Sequence, residues 1–267
     1  MQITSVQNPR IKQLALLQQK SSERRRTGLF VVEGRRELQH CLDAGYEADS
    51  VFVCPDLLPA DDGAMSAFMA AFPPSICFEV TPPVYEKIAY RGTTEGLLAV
   101  VRARQTTLDS LPQKADALYI VLESVEKPGN LGAVLRSADA AQADAVIVCD
   151  PLTDLYNPNL VRSSIGALFT VPCVACTTEA CIGWLKSRQV RILTAQLQDS
   201  SLYYDTDMRA ATAIVMGTES TGLTDAWRQA ADAHIRIPML GRLDSLNVSV
   251  SAAILLFEAV RQRQSLR

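Results

Sequence analysis

Between residues 118 and 262 the chain alternates short apolar runs with amphipathic segments, and this pattern constrains the fold more than any other feature. Strand-like runs occupy residues 118–122, 145–149, 190–195, 212–216 and 235–237. Helix-like segments occupy residues 131–141, 159–168, 179–187, 224–231 and 248–262. Strands that alternate with helices form a parallel sheet with helices on its faces. The sequence therefore predicts an α/β fold for this half of the chain.

The preceding segment has the pattern of a smaller α/β domain. Apolar residues recur at helical spacing over residues 8–20, and strand-like runs follow at residues 28–34, 50–54, 76–80 and 96–102. A polar stretch that contains proline, residues 105–115, is typical of a linker. We therefore expect a first domain at residues 1–104 and a second at residues 116–267.

Composition favours an ordinary globular protein. The chain has 267 residues, of which 48% are hydrophobic, and no apolar run reaches the length of about 18 residues typical of a membrane span. The first residues lack the apolar stretch of a signal peptide, so we expect a cytoplasmic protein. Cys173 and Cys176, with Cys181 nearby, have a metal-like spacing but no second ligand pair close in sequence. We therefore interpret the cysteines as buried apolar residues and expect no metal.

Charge is distributed unevenly along the first domain. Residues 1–36 contain eight Lys and Arg residues and two acidic residues, whereas residues 37–79 contain eight acidic residues and no Lys or Arg. A basic segment beside an acidic one produces a directional field that can steer a phosphate backbone to one face. A solvated helix with a charged surface is an equally good explanation from charge alone.

Three of the apolar runs in the second half lead into turns that contain glycine and polar side chains. These turns are Pro-Gly-Asn-Leu-Gly at residues 128–132, Met-Gly-Thr-Glu-Ser-Thr-Gly-Leu at residues 216–223, and Ile-Pro-Met-Leu-Gly at residues 237–241, which leads to Ser-Leu-Asn-Val-Ser at residues 245–249. Ligand sites of α/β folds form where the carboxyl ends of strands meet glycine-rich turns and helix starts. We therefore expect a ligand site built from these turns.

The common nucleotide and hydrolase sites do not match. Residues 217–224 have the outer spacing of a phosphate-binding loop, but Leu223 stands where that loop requires lysine. No Gly-x-Gly-x-x-Gly sequence occurs, which leaves a dinucleotide site without support. With two histidines in the chain, His40 and His234, no Ser-His-Asp set is credible.

The three turns resemble the three motifs of the SpoU (TrmH-like) branch of the SPOUT methyltransferases. The match extends over about residues 118–262 and includes a supporting stretch at residues 154–164. One departure is Gln142, at a position where glycine usually ends the first helix of the domain. We expect this departure to perturb a turn and to leave the site intact.

The resemblance implies an RNA ribose 2′-O-methyltransferase that uses S-adenosylmethionine, with a deep trefoil knot formed by the C-terminal segment. The implied catalytic residues are Asn130, Arg136, Glu219, Ser245 and Asn247, and the implied cofactor-binding residues are Gly217, Ile237, Met239 and Leu246. Our hypothesis is that Arg136 binds a substrate phosphate and stabilises the developing alkoxide, because a guanidinium stays protonated and is a poor base. Gly217 would let a flat ligand approach the backbone.

Each of these residues also has a simpler explanation. Taken singly, Asn130 and Ser245 are typical helix caps, and Glu219 and Arg136 are typical surface charges. Their joint occurrence at the family's positions favours the catalytic interpretation. Two alternatives remain, a non-catalytic RNA-binding relative and an α/β enzyme that binds another nucleotide.

The first domain resembles the substrate-binding domain that precedes many SpoU catalytic domains, which is similar to an L30e-type ribosomal protein. This resemblance implies structured RNA as the substrate, ribosomal RNA in preference to transfer RNA, bound through phosphates and shape. The candidate RNA-binding residues are Arg10, Lys12, Arg24, Arg25 and Arg35. The last helix carries an apolar stripe with Val250, Ile254, Phe257 and Val260, and the resemblance implies that related helices pair in a homodimer.

Overall fold

The computed structural model describes residues 1–58, 63–90, 95–218, 221–242 and 245–264. The chain forms two compact units. The first comprises Met1–Arg104 and Tyr156–Phe169, and the second comprises Gln105–Leu155 and Thr170–Arg267.

The strands and helices are numbered in chain order. Up to residue 104 they are β1 (Gln2–Ile3), α1 (Pro9–Gln19), α2 (Ser21–Thr27), β2 (Leu29–Glu33), α3 (Arg35–Asp43), β3 (Ala48–Val53), α4 (Ala64–Ala70), β4 (Cys77–Val80), α5 (Pro82–Ile88) and β5 (Leu97–Arg102). Beyond it they are β6 (Leu118–Glu123), α6 (Pro128–Ala140), β7 (Ala145–Cys149), α7 (Pro158–Ser163), α8 (Ala167–Thr170), β8 (Cys173–Cys176), α9 (Thr178–Ser187), β9 (Arg191–Ala195), β10 (Ser201–Leu202), β11 (Thr212–Met216), α10 (Asp225–Ala230), β12 (Ala233–Arg236) and α11 (Val248–Gln264).

The first unit is built on a mixed sheet with strand order β1-β4-β3-β5-β2, in which β5 runs antiparallel to both of its neighbours. The strands predicted at residues 28–34, 50–54, 76–80 and 96–102 are all present. Helix α2 was not predicted, because three of its seven residues are arginines and it lacks an apolar period. It is held instead by Arg24, whose buried side chain donates to the carbonyl oxygens of Leu17 (2.5 Å) and Gln18 (3.3 Å) near the end of α1.

The segment Tyr156–Phe169 packs with this first unit through aromatic contacts. The ring of Tyr156 stacks on Phe30 with a centroid distance of 4.2 Å, and Phe169 lies edge-on to Tyr46 at 5.3 Å. The Tyr156 hydroxyl donates to the Arg104 carbonyl oxygen at 2.6 Å and accepts from the Arg104 amide at 3.1 Å. These contacts explain why a segment that follows β7 in sequence belongs to the compact unit of the first domain.

The second unit contains a parallel sheet with strand order β10-β12-β9-β11-β6-β7-β8. This arrangement confirms the predicted α/β class. The five predicted strands form its centre, whereas β8 and β10 lie at its edges and were not predicted. Because all strands run the same way, the turns that follow β6, β11 and β12 emerge at one edge of the sheet.

The turn after α6 shows why glycine is usual there. Gln142 has a φ of 52°, in the left-handed region, and its amide donates to the Asp139 carbonyl oxygen at 3.0 Å. The Ala143 amide donates to the Ala138 carbonyl oxygen at 2.9 Å, so the helix ends in a Schellman motif with glutamine at the position that favours glycine. The departure therefore strains the turn that ends α6.

Helix α11 lies against α6, β6 and β11 and buries one face. The predicted stripe lies on another face: Val250 and Phe257 are each 47% exposed, and Ile254 and Val260 are half-buried. Among the helices that the structure describes, α11 is the longest at 17 residues, and none has the length and apolar character required to cross a membrane.

Candidate active site

A cavity of about 400 Å³ opens at the edge of the parallel sheet where β9, β11 and β12 end. Its apolar walls are Leu223, Ile237, Met239, Leu246 and Leu255, and its polar groups include Gln196, Thr218, Ser245, Arg228 and Arg236. All four predicted cofactor-binding residues and Ser245 line this cavity. The second and third glycine-bearing turns therefore form one pocket, as the sequence predicts.

Gly217 is required by the turn itself. A β-carbon placed on Gly217 would lie 2.2 Å from the carbonyl carbon of Gly222 and 2.5 Å from the amide nitrogen of Leu223. The turn is closed by a hydrogen bond from the Gly222 amide to the Thr218 carbonyl oxygen at 3.1 Å and by the hydroxyl pair of Thr218 and Thr221 at 2.8 Å. The sequence-based reason, close approach of a ligand, is incomplete, because the first neighbour of Gly217 is its own loop.

A second cavity of about 120 Å³ adjoins the first and shares Gly217, Thr218 and Val248 with it. Its remaining wall comes from the end of β6 and the residues that follow it, 122–127, and from Asn130 of the first glycine-bearing turn. Two adjacent cavities that share lining residues can hold two ligands side by side, which suits a reaction in which one ligand donates a group to the other.

A hydrogen bond connects the side chains of Asn130, which lines the second cavity, and Asn247. The side-chain amide of Asn247 donates to Oδ1 of Asn130 at 3.2 Å, and Oδ1 of Asn247 accepts from the Ser249 amide at 2.9 Å and the Ser249 hydroxyl at 2.6 Å. Asn247 thus caps α11 and orients Asn130 with the same side chain. Asn130 lies in the first turn of α6, and its side chain does not cap that helix, which begins after Lys127. The simple capping explanation of Asn130 is therefore wrong.

Glu123 is a functional candidate that the sequence analysis missed. It ends β6, is buried, and lines the second cavity. Its Oε1 accepts from the hydroxyls of Thr224 (2.7 Å) and Thr178 (3.2 Å), and its Oε2 accepts from the Thr224 amide at 2.9 Å. This carboxylate connects the starts of α9 and α10 to the cavity wall. An acidic residue at the end of an apolar strand is the signal that marks it in the sequence.

Arg136 lies on the exposed face of α6 and lines neither cavity. Within the ranges that the structure describes, it makes no hydrogen bond or ion pair. Its guanidinium is therefore available to a ligand outside the single chain. Glu219, the predicted acid of the second motif, lies outside the described residues.

The predicted RNA-binding residues differ in exposure. Arg10, Lys12 and Arg25 are exposed, and Arg35 is half-buried. The guanidinium of Arg10 lies 4.6 Å from the centre of the Phe78 ring. Arg24 is 6% exposed, and its guanidinium is bonded to backbone carbonyls. The prediction that Arg24 contacts RNA is therefore corrected. The Arg24 side chain stabilises the junction of α1 and α2 instead.

The first cavity fits S-adenosylmethionine in size and chemistry. Pockets for ligands of this size measure roughly 300–1,000 Å³ and combine apolar walls with a few placed polar groups. Ile237, Met239 and Leu246 provide apolar surface for an adenine ring, while Arg228 and Arg236 offer positive charge to a carboxylate. When bound, this cofactor supplies an electrophilic methyl group on a sulfonium.

Comparison with known proteins agrees with the geometry. Residues 117–257 match the SpoU rRNA Methylase family, and residues 8–99 match the MRM3-like substrate binding domain. The chain is 31% identical over 274 residues to a 23S rRNA (uridine(2479)-2′-O)-methyltransferase of Streptomyces viridochromogenes, covering 98% of this chain and 93% of that protein.

Two solved structures extend the likeness to the whole fold. A crystal structure of an RNA 2′-O ribose methyltransferase shares 40% identity with a TM-score of 0.86, covering 99% of this chain and 100% of that one. An AdoMet-bound rRNA methyltransferase from Sinorhizobium meliloti shares 29% identity with a TM-score of 0.88, covering 98% of this chain and 97% of that one.

These likenesses confirm the predictions of fold class, activity and cofactor that were made from the three motifs. Both the catalytic half and the substrate-binding half are matched over nearly their full lengths. This S-adenosylmethionine-dependent RNA 2′-O-methyltransferase belongs to the SpoU rRNA methylase family.

Proposed function

We propose that the enzyme methylates a ribose 2′-hydroxyl of 23S ribosomal RNA. The observation that carries this proposal is the likeness of the entire chain, including the substrate-binding domain, to a 23S rRNA 2′-O-methyltransferase. Exposed Arg10, Lys12 and Arg25, with half-buried Arg35, provide positive charge for the RNA backbone on the first unit. The cytoplasmic location expected from the sequence is part of this proposal.

The acceptor ribose occupies the second cavity in this proposal. Its 2′-hydroxyl would then approach the methyl donor where the two cavities adjoin, at Gly217 and Thr218. Asn130, held by Asn247, orients the ribose, and Glu123 fixes the cavity wall through Thr178 and Thr224. Ser245 contacts the cofactor from the first cavity. The role of Glu219 that the resemblance implies stays a prediction. A knot in the C-terminal segment that forms this pocket, which the resemblance to SPOUT enzymes implies, stays a prediction.

Arg136 acts on the substrate phosphate and on the developing alkoxide. A ribose hydroxyl is a weak nucleophile, so stabilising the negative charge that forms on its oxygen lowers the barrier. A guanidinium binds phosphate through two parallel hydrogen bonds, which also fixes the orientation of the neighbouring ribose. Because Arg136 is exposed and lies outside both cavities of its own chain, we infer that it completes a site formed between two copies of the protein.

Arg136→Lys is expected to lower kcat/KM about tenfold, since lysine keeps the charge but loses the two-point contact. Single-turnover methyl transfer with saturating cofactor measures this effect. Arg188→Lys is the matched control and is expected to retain full turnover, because Arg188 lines neither cavity and its guanidinium lies over the Trp184 ring at 4.7 Å. Unchanged turnover of Arg136→Lys would contradict the bidentate role.

The exposed stripe of α11 is the surface through which we propose that the protein dimerises. Val250 and Phe257 are seven residues apart and project from the same face of the helix. Exposed apolar side chains that form a continuous patch mark protein interfaces, whereas single scattered ones do not. A dimer through this face brings two copies of α11 together.

Phe257→Glu is expected to convert the dimer to a monomer and to reduce methyl transfer at least tenfold. A carboxylate on each copy would be buried against an apolar partner and against the other carboxylate. Light scattering coupled to gel filtration measures the mass. Leu152→Glu, which changes a residue that is 64% exposed elsewhere in the unit, is expected to remain dimeric. A wild-type protein that is monomeric and still active would overturn the dimer proposal.

The direct test of the function is a methyl-transfer assay with tritiated S-adenosylmethionine. Purified 23S rRNA, 16S rRNA and total tRNA from cells that lack the gene are offered separately. Label in 23S rRNA that survives alkali as a dinucleotide is the expected result, because a 2′-O-methyl group blocks cleavage of the adjacent phosphodiester. Label confined to tRNA would reassign the substrate, and alkali-labile label would indicate methylation of a base. Cofactor binding without any transfer would favour a non-catalytic relative.

A further inference from the structure

Three cysteines that are separated in sequence converge near Glu123, whose partner in the neighbouring strand is Cys149. Cys149 ends β7, Cys176 ends β8, and Cys181 lies on α9. Their three sulfur atoms all lie within 4.8 Å of one another. Cys149 and Cys176 are direct partners in the register of β7 and β8, with sulfurs 4.0 Å apart. The spacing that looks incomplete in the sequence is completed by Cys149, which parallel strand pairing brings to Cys176.

The separation of the sulfurs matches that of thiolates around a zinc ion. With Zn–S bonds of about 2.3 Å, sulfurs lie about 3.8 Å apart in a tetrahedral site and about 4.0 Å apart in a planar one. Contraction of the widest pair by about 1 Å or less, within reach of side-chain rotation, therefore completes the site. Cys149 and Cys181 also belong to the apolar core of this unit, but packing as apolar residues does not require three sulfurs to meet at one point.

The charges favour a divalent ion over a monovalent one. Three thiolates around Zn²⁺ leave a net charge of −1, whereas three around Cu⁺ leave −2 in a largely buried place, where uncompensated charge is costly. Cys181 lies in the first turns of α9, whose positive end offsets part of the remaining charge. Cys149 and Cys181 are buried, while Cys176 is half-buried, so the fourth position of a tetrahedral ion faces solvent at Cys176.

We propose that Cys149, Cys176 and Cys181 bind one Zn²⁺ ion as three thiolates, with a water molecule as the fourth ligand. Each thiol releases its proton to solvent as it binds. The ion would connect the ends of β7 and β8 to α9, immediately beside Thr178. Since Thr178 donates to Glu123 at 3.2 Å and its amide donates to Asp150 at 3.2 Å, the ion would brace the wall of the substrate cavity. This bracing does not require contact with RNA or cofactor.

Co²⁺ titration of the full-length, untagged, reduced protein tests the site. Binding of one equivalent, with sulfur-to-cobalt charge-transfer absorption and tetrahedral visible bands that Zn²⁺ abolishes by displacement, is the expected result. Cys181→Ser is expected to weaken binding by at least about 100-fold. Addition of Zn²⁺ should also raise the Tm of the wild type and leave that of Cys181→Ser unchanged.

Cys173→Ser is the matched control. Cys173 lies on the same strand as Cys176, is buried, and lies outside the three-sulfur cluster. We expect this variant to bind Co²⁺ like the wild type. Should Cys181→Ser fail to fold, Cys176→Ser replaces it, because Cys176 is the least buried of the three. Absence of stoichiometric binding by the wild type, or equal affinity in the ligand variants and the wild type, would overturn the proposal.

Discussion

Gly217→Ala is expected to weaken S-adenosylmethionine binding strongly. The new methyl carbon would lie 2.2 Å from the carbonyl carbon and 2.3 Å from the carbonyl oxygen of Gly222, distances that no β-carbon tolerates. The obstacle is backbone, which cannot rotate away as a side chain can. The two sides of the turn must therefore separate, and with them the bridge between Thr218 and Gly222 that closes it.

The loss should be large because Gly217 lines both cavities. Separation of the turn displaces the wall that the donor and acceptor share, so we expect cofactor affinity to fall by at least about 100-fold, or about 2.7 kcal/mol. Isothermal titration with S-adenosylmethionine measures it, and circular dichroism establishes that the sheet is intact.

Gly183→Ala is the control for the same chemical change. A β-carbon on Gly183 has no neighbour within 4 Å, and the residue lies inside helix α9, where alanine is favoured over glycine by about 1 kcal/mol. This variant should bind the cofactor normally and unfold at a slightly higher temperature. Near-normal binding by Gly217→Ala would mean that the turn opens at little cost and that the geometry described for it is not essential.

The catalytic half could be predicted from its sequence because its signals are local. The buried strands β6, β7, β9 and β11 are apolar runs, and their helices keep an apolar period. The edge strands carried weaker signals. β10 has two residues, and β8 has only four, with one exposed. Their strand conformation comes from pairing with a neighbour, which a single sequence does not display.

The site residues illustrate the same division. The three motifs identified Gly217, Ile237, Met239 and Leu246, which the structure brings into one cavity. Contacts between distant segments could not be found in this way. Glu123 meets Thr178 and Thr224, which lie 55 and 101 residues further along the chain.

Arg24 shows the opposite error. It belongs to a run of three arginines, Arg24, Arg25 and Arg26, that looks uniformly basic in the sequence. In helix α2 these three side chains nevertheless point in different directions. Arg24 donates to carbonyl oxygens of α1, Arg26 forms an ion pair with Glu23, and Arg25 is exposed to solvent. The direction of a long side chain depends on the junction between helices, and a charge count cannot supply it.

Asn247 combines two roles, and one substitution separates them. Its Oδ1 caps α11 by accepting from the Ser249 amide, while its Nδ2 donates to Asn130. Aspartate is as good a cap as asparagine, so Asn247→Asp keeps the first role. It removes the second, because a carboxylate has no proton to donate and would face the oxygen of Asn130 instead.

We expect Asn247→Asp to fold with wild-type stability and to lose about 100-fold in kcat. Beyond releasing Asn130, the substitution adds a negative charge beside the place where the ribose oxygen becomes negative. Two such charges about 5 Å apart repel by about 3 kcal/mol at an effective dielectric constant of about 20, which corresponds to about two orders of magnitude in rate. Single-turnover transfer measures the rate, and thermal unfolding measures stability.

The control is Asn157→Asp, the same change at another helix cap. Oδ1 of Asn157 accepts from the Asn159 amide at 2.9 Å, the same distance and the same position in the helix as for Asn247 and Ser249. Asn157→Asp should leave both the stability of the protein and its turnover unchanged. Asn247→Ala, by contrast, should lose about 1 kcal/mol of stability with the cap and also lose turnover. If Asn247→Asp turned over at the wild-type rate, Asn247 would be a helix cap alone, and the orientation of the acceptor ribose would have to come from other residues of the second cavity.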